Sequence, residues 1–283
     1  MTLIILLLAL GLEHFVGITG EIRRFDWFYR YLNWLENRFS QYRFWNGAGG
    51  VVISLVGPLI LLLLVGYLLA ELFYPLALFL TLIVLLYSLG PHYLFPVLDR
   101  YIDALDEDDA TGAAELATEI AGPGGEELDE QGMLGEILLQ SNERIFAVIF
   151  WFIVLGAFGA LLYRLACVLH QRRHDIYGGY SDAARHLKNI LDWPATRLLV
   201  IGNALSGNMV DAIEAWRDSE QQSLEVNETV LIAGGLGALN YQPEEEMTDA
   251  DTYWYRALLG MLHRTLILWL AILGLMTLAG WLA

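Results

Sequence analysis

The stretch FWNGAGGVVISLVGPLILLLLVGYLLA, from Phe44 to Ala70, runs 27 positions without an Asp, Glu, Lys or Arg. A bilayer core of about 30 Å needs roughly 20 such residues in a helix, so this segment is long enough to cross. Residues 72 to 98 give a second charge-free run of 27 positions. Only Glu71 separates the two, and the turn around Glu71 to Pro75 is short enough to make them an antiparallel hairpin. Three weaker apolar segments accompany the pair: residues 1 to 17, residues 145 to 163 ahead of Arg164, and residues 265 to 283 behind Arg264. The first lacks the basic start and small-residue cleavage site of a signal peptide and is expected to stay in the protein. No run of alternating strands is present. The expected fold is therefore all-α: a polytopic membrane protein with four to five apolar helices, plus cytoplasmic helical segments.

The composition agrees, with 56% hydrophobic and 17% charged residues. The net charge of -17 is concentrated. Asp99 to Glu143 holds 14 acids against one Arg, and His170 to Leu262 holds 14 acids against seven basic residues. Such faces repel nucleic acid, and no nucleic-acid partner is expected; the lipid bilayer is the expected partner.

The chain reads as five regions: an N-terminal membrane region over 1–98, an acidic helical segment over 99–144, an apolar helix over 145–169, a mixed polar helical region over 170–262, and a C-terminal transmembrane helix over 263–283. Within the first, residues 25–45 interleave aromatics with arginines on a helical period, as expected of a helix lying in the membrane interface. Arg23, Arg24, Arg30, Arg38 and Arg43 mark that loop as cytoplasmic by the positive-inside rule. In the acidic segment a helix is expected over Ala110 to Ala121, a break at Gly122-Pro-Gly-Gly125, and a second helix over Glu126 to Arg144. Further helical runs are expected at Ser181 to Leu191, Met209 to Glu220 and Glu225 to Leu236. Trp193 to Gly202 reads as a separate helix, with Pro194 in its first turn and Asp192 as its N-cap.

Residues 145–169 pose a conflict, because a clean crossing places Arg172, Arg173, Arg185 and Lys188 on the side opposite the first basic loop. Gly156 and Gly159 suggest one resolution: a bend producing two half-helices that enter and leave on the same face. The other is a straight helix whose glycines serve close packing.

Several chemistries are disfavoured. Lys188 is the only lysine and follows no glycine-rich turn, which excludes a classical P-loop. Gly234-Gly-Leu-Gly-Ala238 follows no expected strand, so a dinucleotide site is unsupported. No cofactor is identified, and His170 with His174, four residues apart, lack a separated third ligand, so no metal site is assigned. Ionisable groups in or beside apolar segments are better leads, since buried charge in a membrane needs a partner or a use. These are Glu13, Glu136, Arg164 and Arg197.

Leu191-Asp-Trp-Pro-Ala-Thr-Arg-Leu198, together with Met1-Thr-Leu-Ile, Glu13, Ile149-Phe-Trp151 and Ala160-Leu-Leu-Tyr-Arg-Leu165, resembles the AmpE family, inner-membrane proteins linked to β-lactamase induction. The chain is more distantly similar to the adenosylcobinamide-phosphate synthases of cobalamin biosynthesis. The first resemblance implies a bacterial inner-membrane signalling modulator tied to peptidoglycan recycling. Its implied partners are a muropeptide-like or nucleotide ligand and a regulatory protein, bound without catalysis. The second implies a membrane-bound amide-forming ligase. The resemblance adds Asn142, Tyr163 and Asp192 to the binding candidates, giving Glu13, Glu136, Asn142, Tyr163, Arg164, Asp192 and Arg197. The chain departs from the synthases where their paired acid is replaced by Lys188-Asn189, and where their early Asp-Pro and Pro-His-Pro signature gives way to the aromatic helix. Those departures favour the signalling role over ligase chemistry.

Overall fold

The computed structural model describes residues 2–16, 25–89, 94–172, 178–220, 226–242 and 252–280. Among these every regular element is helical: α1 (Thr2–Val16), α2 (Asp26–Phe39), α3 (Ala48–Leu72), α4 (Tyr74–Ser88), α5 (Leu94–Asp106), α6 (Ala110–Ala121), α7 (Glu130–Ser141), α8 (Ala147–Gln171), α9 (Gly179–Ser206), α10 (Met209–Glu220), α11 (Val226–Leu239) and α12 (Tyr253–Leu278). A short 3-10 turn, Gly125–Glu127, precedes α7, and a π-helical turn, Asn142–Phe146, joins α7 to α8.

The helices form two compact units, Met1–Pro91 with Ala147–Asp192 and His92–Phe146 with Trp193–Ala283. The first holds α1 to α4, α8 and the first half of α9. Its core joins Phe28, Leu32 and Leu35 of α2 to Val51, Leu55 and Leu59 of α3 and to Leu161, Leu165 and Leu169 of α8. Gly57 leaves room for Tyr31, whose Oη would lie 2.3 Å from a Cβ at that position. The outward face of α3 is apolar and uncovered, with Val52, Val56, Ile60, Leu64 and Leu68 all exposed. A surface of that kind is stable in lipid and not in water.

Three stretches, Ala48–Leu72, Glu130–Gln171 and Tyr253–Leu278, are helical, long and apolar enough to cross a membrane, and two shorter apolar helices accompany them. That fits the expected four to five apolar helices. The run over 72–98, however, is not one helix: α4 ends at Ser88 and α5 begins at Leu94. With 15 residues, α4 is about 22 Å long at 1.5 Å per residue, short of a bilayer core.

The longest stretch is not straight. Gly156 sits at φ 65, ψ -151 inside α8, a conformation open mainly to glycine. A Cβ on Gly159 would lie 2.2 Å from the carbonyl oxygen of Trp151. In a straight helix those residues stand about 12 Å apart along the axis, so the chain folds back sharply at Gly156. The segment is thus not one straight helix, and Gly159 is the residue that admits the returning backbone.

The second unit begins with α5 and α6. Asp109 caps α6 by accepting from the Gly112 amide at 3.0 Å, and Asp129 caps α7 by accepting from Gly132 at 2.8 Å. Between them Gly122 and Gly124 take positive φ, ending α6 as the sequence suggests. α10 pairs with α11, and α12 packs on α5 and α7. Pro194 does not start a helix, because α9 is continuous from Gly179 to Ser206 with Pro194 inside it. A proline there removes an amide donor and loosens the preceding turn. The Trp151 indole N–H donates to the Leu191 carbonyl at 3.0 Å in that turn.

Candidate functional site

The first unit gathers four of the candidate residues. Tyr163 on the second half of α8 is fully buried, and its hydroxyl donates to Asp192 Oδ1 at 2.6 Å. The other oxygen, Oδ2, receives Lys188 Nζ at 2.7 Å. Asp192 is therefore no N-cap: its carboxylate is a buried acceptor held by a phenol and an ammonium. Charge-assisted bonds of this length are among the stronger ones in proteins, and each carboxylate oxygen keeps a further lone pair for an incoming donor.

Next to Tyr163, Arg164 is also buried, and its Nε donates to the carbonyl of Ser88 at 2.6 Å. Ser88 is the last residue of α4, where carbonyls lack helical partners and the helix dipole favours a cation. Arg164 thus meets a helix end. Glu13 is buried on α1, which packs on α4 and α8. In the same unit Tyr180 Oη and Ser54 Oγ share a hydrogen bond of 2.8 Å, and burial raises the Tyr180 phenol above its ordinary pKa.

The second unit holds the other three. Glu136 lies within α7, where Gln140 Nε2 donates to it at 2.7 Å. Gln140 Oε1 accepts from Arg144 Nε at 2.7 Å, and Arg144 also donates to the carbonyls of Glu119 and Ile120 at the end of α6. Asn142, in the π-helical turn, donates through Nδ2 to Thr196 Oγ1 at 3.5 Å, while its buried Oδ1 has no hydrogen-bond partner among the described residues. Single π-turns of this kind recur at functional sites. Arg197 donates from Nη1 to Asn227 Oδ1 at 2.9 Å and to the Trp193 carbonyl at 3.1 Å, with its guanidinium 4.4 Å above the Trp193 ring. A separate acidic pocket of about 480 Å³, lined by Asp211, Glu214, Asp218 and Tyr241 among others, contains none of the candidates.

Of the seven residues, then, the structure joins Tyr163 directly to Asp192. Lys188, read from sequence as the loss of an acid, is the missed member of that group. Gln140 and Arg144 were missed around Glu136. Both omissions had a signal in the i,i+4 spacings 188/192 and 136/140/144, which place side chains on one helix face. Of the histidine pair, His174 lies outside the described residues.

A helical protein with bilayer-length apolar helices and buried, paired polar groups on them belongs to the class of polytopic membrane proteins. More specifically, residues 6–261 match the family model described as CobD/Cbib protein, and the chain belongs to that family. It is 32% identical over 143 residues to the cobalamin biosynthesis protein CobD of Chromobacterium violaceum, covering 48% of this chain and 46% of that protein. It is likewise 32% identical over 170 residues to CobD of Stutzerimonas stutzeri, covering 56% of this chain and 54% of the relative. The matched segments span about half the length of these curated relatives. No solved structure matches. These similarities overturn the expectation of an AmpE-type modulator of β-lactamase induction and peptidoglycan recycling.

Proposed function

We propose that this chain is an inner-membrane, amide-forming enzyme of cobalamin biosynthesis, akin to the adenosylcobinamide-phosphate synthases. The family match across residues 6–261 carries the reading. In the reaction a primary amine nitrogen forms a C–N bond with the carbonyl carbon of an activated corrinoid carboxylate. The activating group departs with its bonding electrons, and the nitrogen gives up a proton.

The Asp192 carboxylate is the proposed acceptor of that proton. Its oxygens are fixed by Tyr163 and Lys188, so it is positioned without reorganisation, and the Lys188 ammonium balances its charge. The lysine that replaces an acid of the synthases therefore supports the remaining carboxylate. The chain lacks a P-loop, so if a nucleoside triphosphate activates the carboxylate it is bound in another way.

The purified full chain, given a corrinoid carboxylic acid, an amino-alcohol phosphate and magnesium ATP, is expected to yield the amide, detected by mass spectrometry, and to consume ATP in step with it. Asp192→Asn is expected to slow product formation by about 10²- to 10⁴-fold, the usual scale for loss of a positioned acid or base. Absence of amide from the wild-type protein, or full activity in Asp192→Asn, would contradict the proposal.

A further inference from the structure

Helix α2 carries two stripes. Phe28, Leu32 and Leu35 form the buried one. Trp27, Arg30, Trp34 and Arg38 form another: they lie three, seven and eleven residues on from Trp27, and at 100° per residue they fall on one side of the helix. All four are exposed, as are Tyr42, Arg43 and Phe44 in the turn that follows. This surface alternates an aromatic with a guanidinium along its length, within a chain whose net charge is -17.

The setting of α2 fixes what that stripe meets. Trp27 Nε1 donates to Tyr87 Oη at 2.7 Å, near the end of α4, and Tyr31 Oη donates to the Ile53 carbonyl at 3.4 Å, near the start of α3. The helix is thus docked at the open ends of the α3–α4 hairpin. The opposite edge is tied down as well, with Arg172 donating to Asn33 Oδ1 at 2.5 Å and to Glu36 Oε2 at 3.0 Å. Glu36 is therefore neutralised by Arg172, and Asp26 is the other acid on the helix. Arg30 bonds only weakly to a backbone carbonyl, that of Asp26 at 3.4 Å.

We propose that the Trp27–Arg30–Trp34–Arg38 face, extended by Arg43, binds anionic phospholipid headgroups. Charge complementarity selects this occupant: guanidinium groups pair bidentately with phosphate, and tryptophan rings sit favourably at headgroup depth. A neutral lipid satisfies the tryptophans but leaves the arginines without net charge to neutralise. The bland anchoring role of an aromatic helix becomes a lipid-selective one.

Native mass spectrometry of the detergent-solubilised full chain with equal amounts of phosphatidylglycerol and phosphatidylcholine tests this. About tenfold preferential retention of phosphatidylglycerol is expected, on the scale of basic residues at anionic membranes. The Arg30→Gln/Arg38→Gln/Arg43→Gln variant is expected to retain the two lipids nearly equally, and the corresponding triple Lys variant to keep most of the preference. These are exposed positions, and unchanged thermal unfolding of both variants confirms that folding is not the cause. Equal retention by the wild type, an undiminished preference in the Gln variant, or complete displacement of phosphatidylglycerol by millimolar inorganic phosphate would overturn the assignment.

Discussion

Asp192 and Lys188 face each other at 2.7 Å, both nearly excluded from solvent, with Tyr163 on the other carboxylate oxygen. Removing one partner takes away the other's buried counter-charge at 2.7 Å, whereas removing both removes the charges together. Asp192→Leu is therefore expected to destabilise the protein by about 3–5 kcal/mol, and the Lys188→Met/Asp192→Leu double variant by less than either single change. Unfolding in detergent micelles followed by circular dichroism measures the cycle; additive losses would show that the pair is not coupled. A methyl group on Gly159 meets the Trp151 carbonyl at 2.2 Å, so Gly159→Ala is expected to cost about 1–3 kcal/mol by overpacking, read in the same way. A neutral substitution would mean that the two arms of α8 stand apart.

At the level of elements, the reversal at Gly156 makes a geometric prediction. Spin labels on Phe150→Cys/Leu162→Cys, in a Cys167→Ser background, are expected to couple more strongly than labels on Val52→Cys/Leu64→Cys in α3, although both pairs are 12 residues apart. A continuous helix places such pairs about 18 Å apart along its axis, and equal coupling would restore the straight reading. In sequence this bend was one of two open readings: a mid-run glycine and the surrounding charges raised it, but a straight helix with packing glycines fitted equally well. The helices 110–121 and 209–220 were legible because caps and glycine breaks are local signals. The continuity of α9 was not. Pro194 resembles a helix start in any short window, and the Trp151 bond to Leu191 that accompanies its place inside a helix comes from 40 residues away. Nor does a count of charges show where α4 stops, since the run to Leu98 stays apolar past the break.

For the whole molecule, apolar content and segment length were enough for the fold class, whereas function was misassigned between two related resemblances. Short strings such as Asp192-Trp-Pro-Ala-Thr-Arg197 belong to a scaffold, and a scaffold does not by itself specify an activity. The replaced acid at Lys188-Asn189 was weighed as lost chemistry because sequence does not reveal what its side chain touches. In the structure that lysine is a partner of Asp192. The match over residues 6–261 favours the cobalamin reading over the signalling one.

That reading is tested most directly in cells. A bacterium lacking its own adenosylcobinamide-phosphate synthase and growing only when it makes cobalamin is supplied with this chain, its Asp192→Asn variant or an empty vector. Cobalamin-dependent growth restored by the wild-type chain and lost with Asp192→Asn is the predicted result. No rescue by a chain shown to be present in the membrane would contradict it.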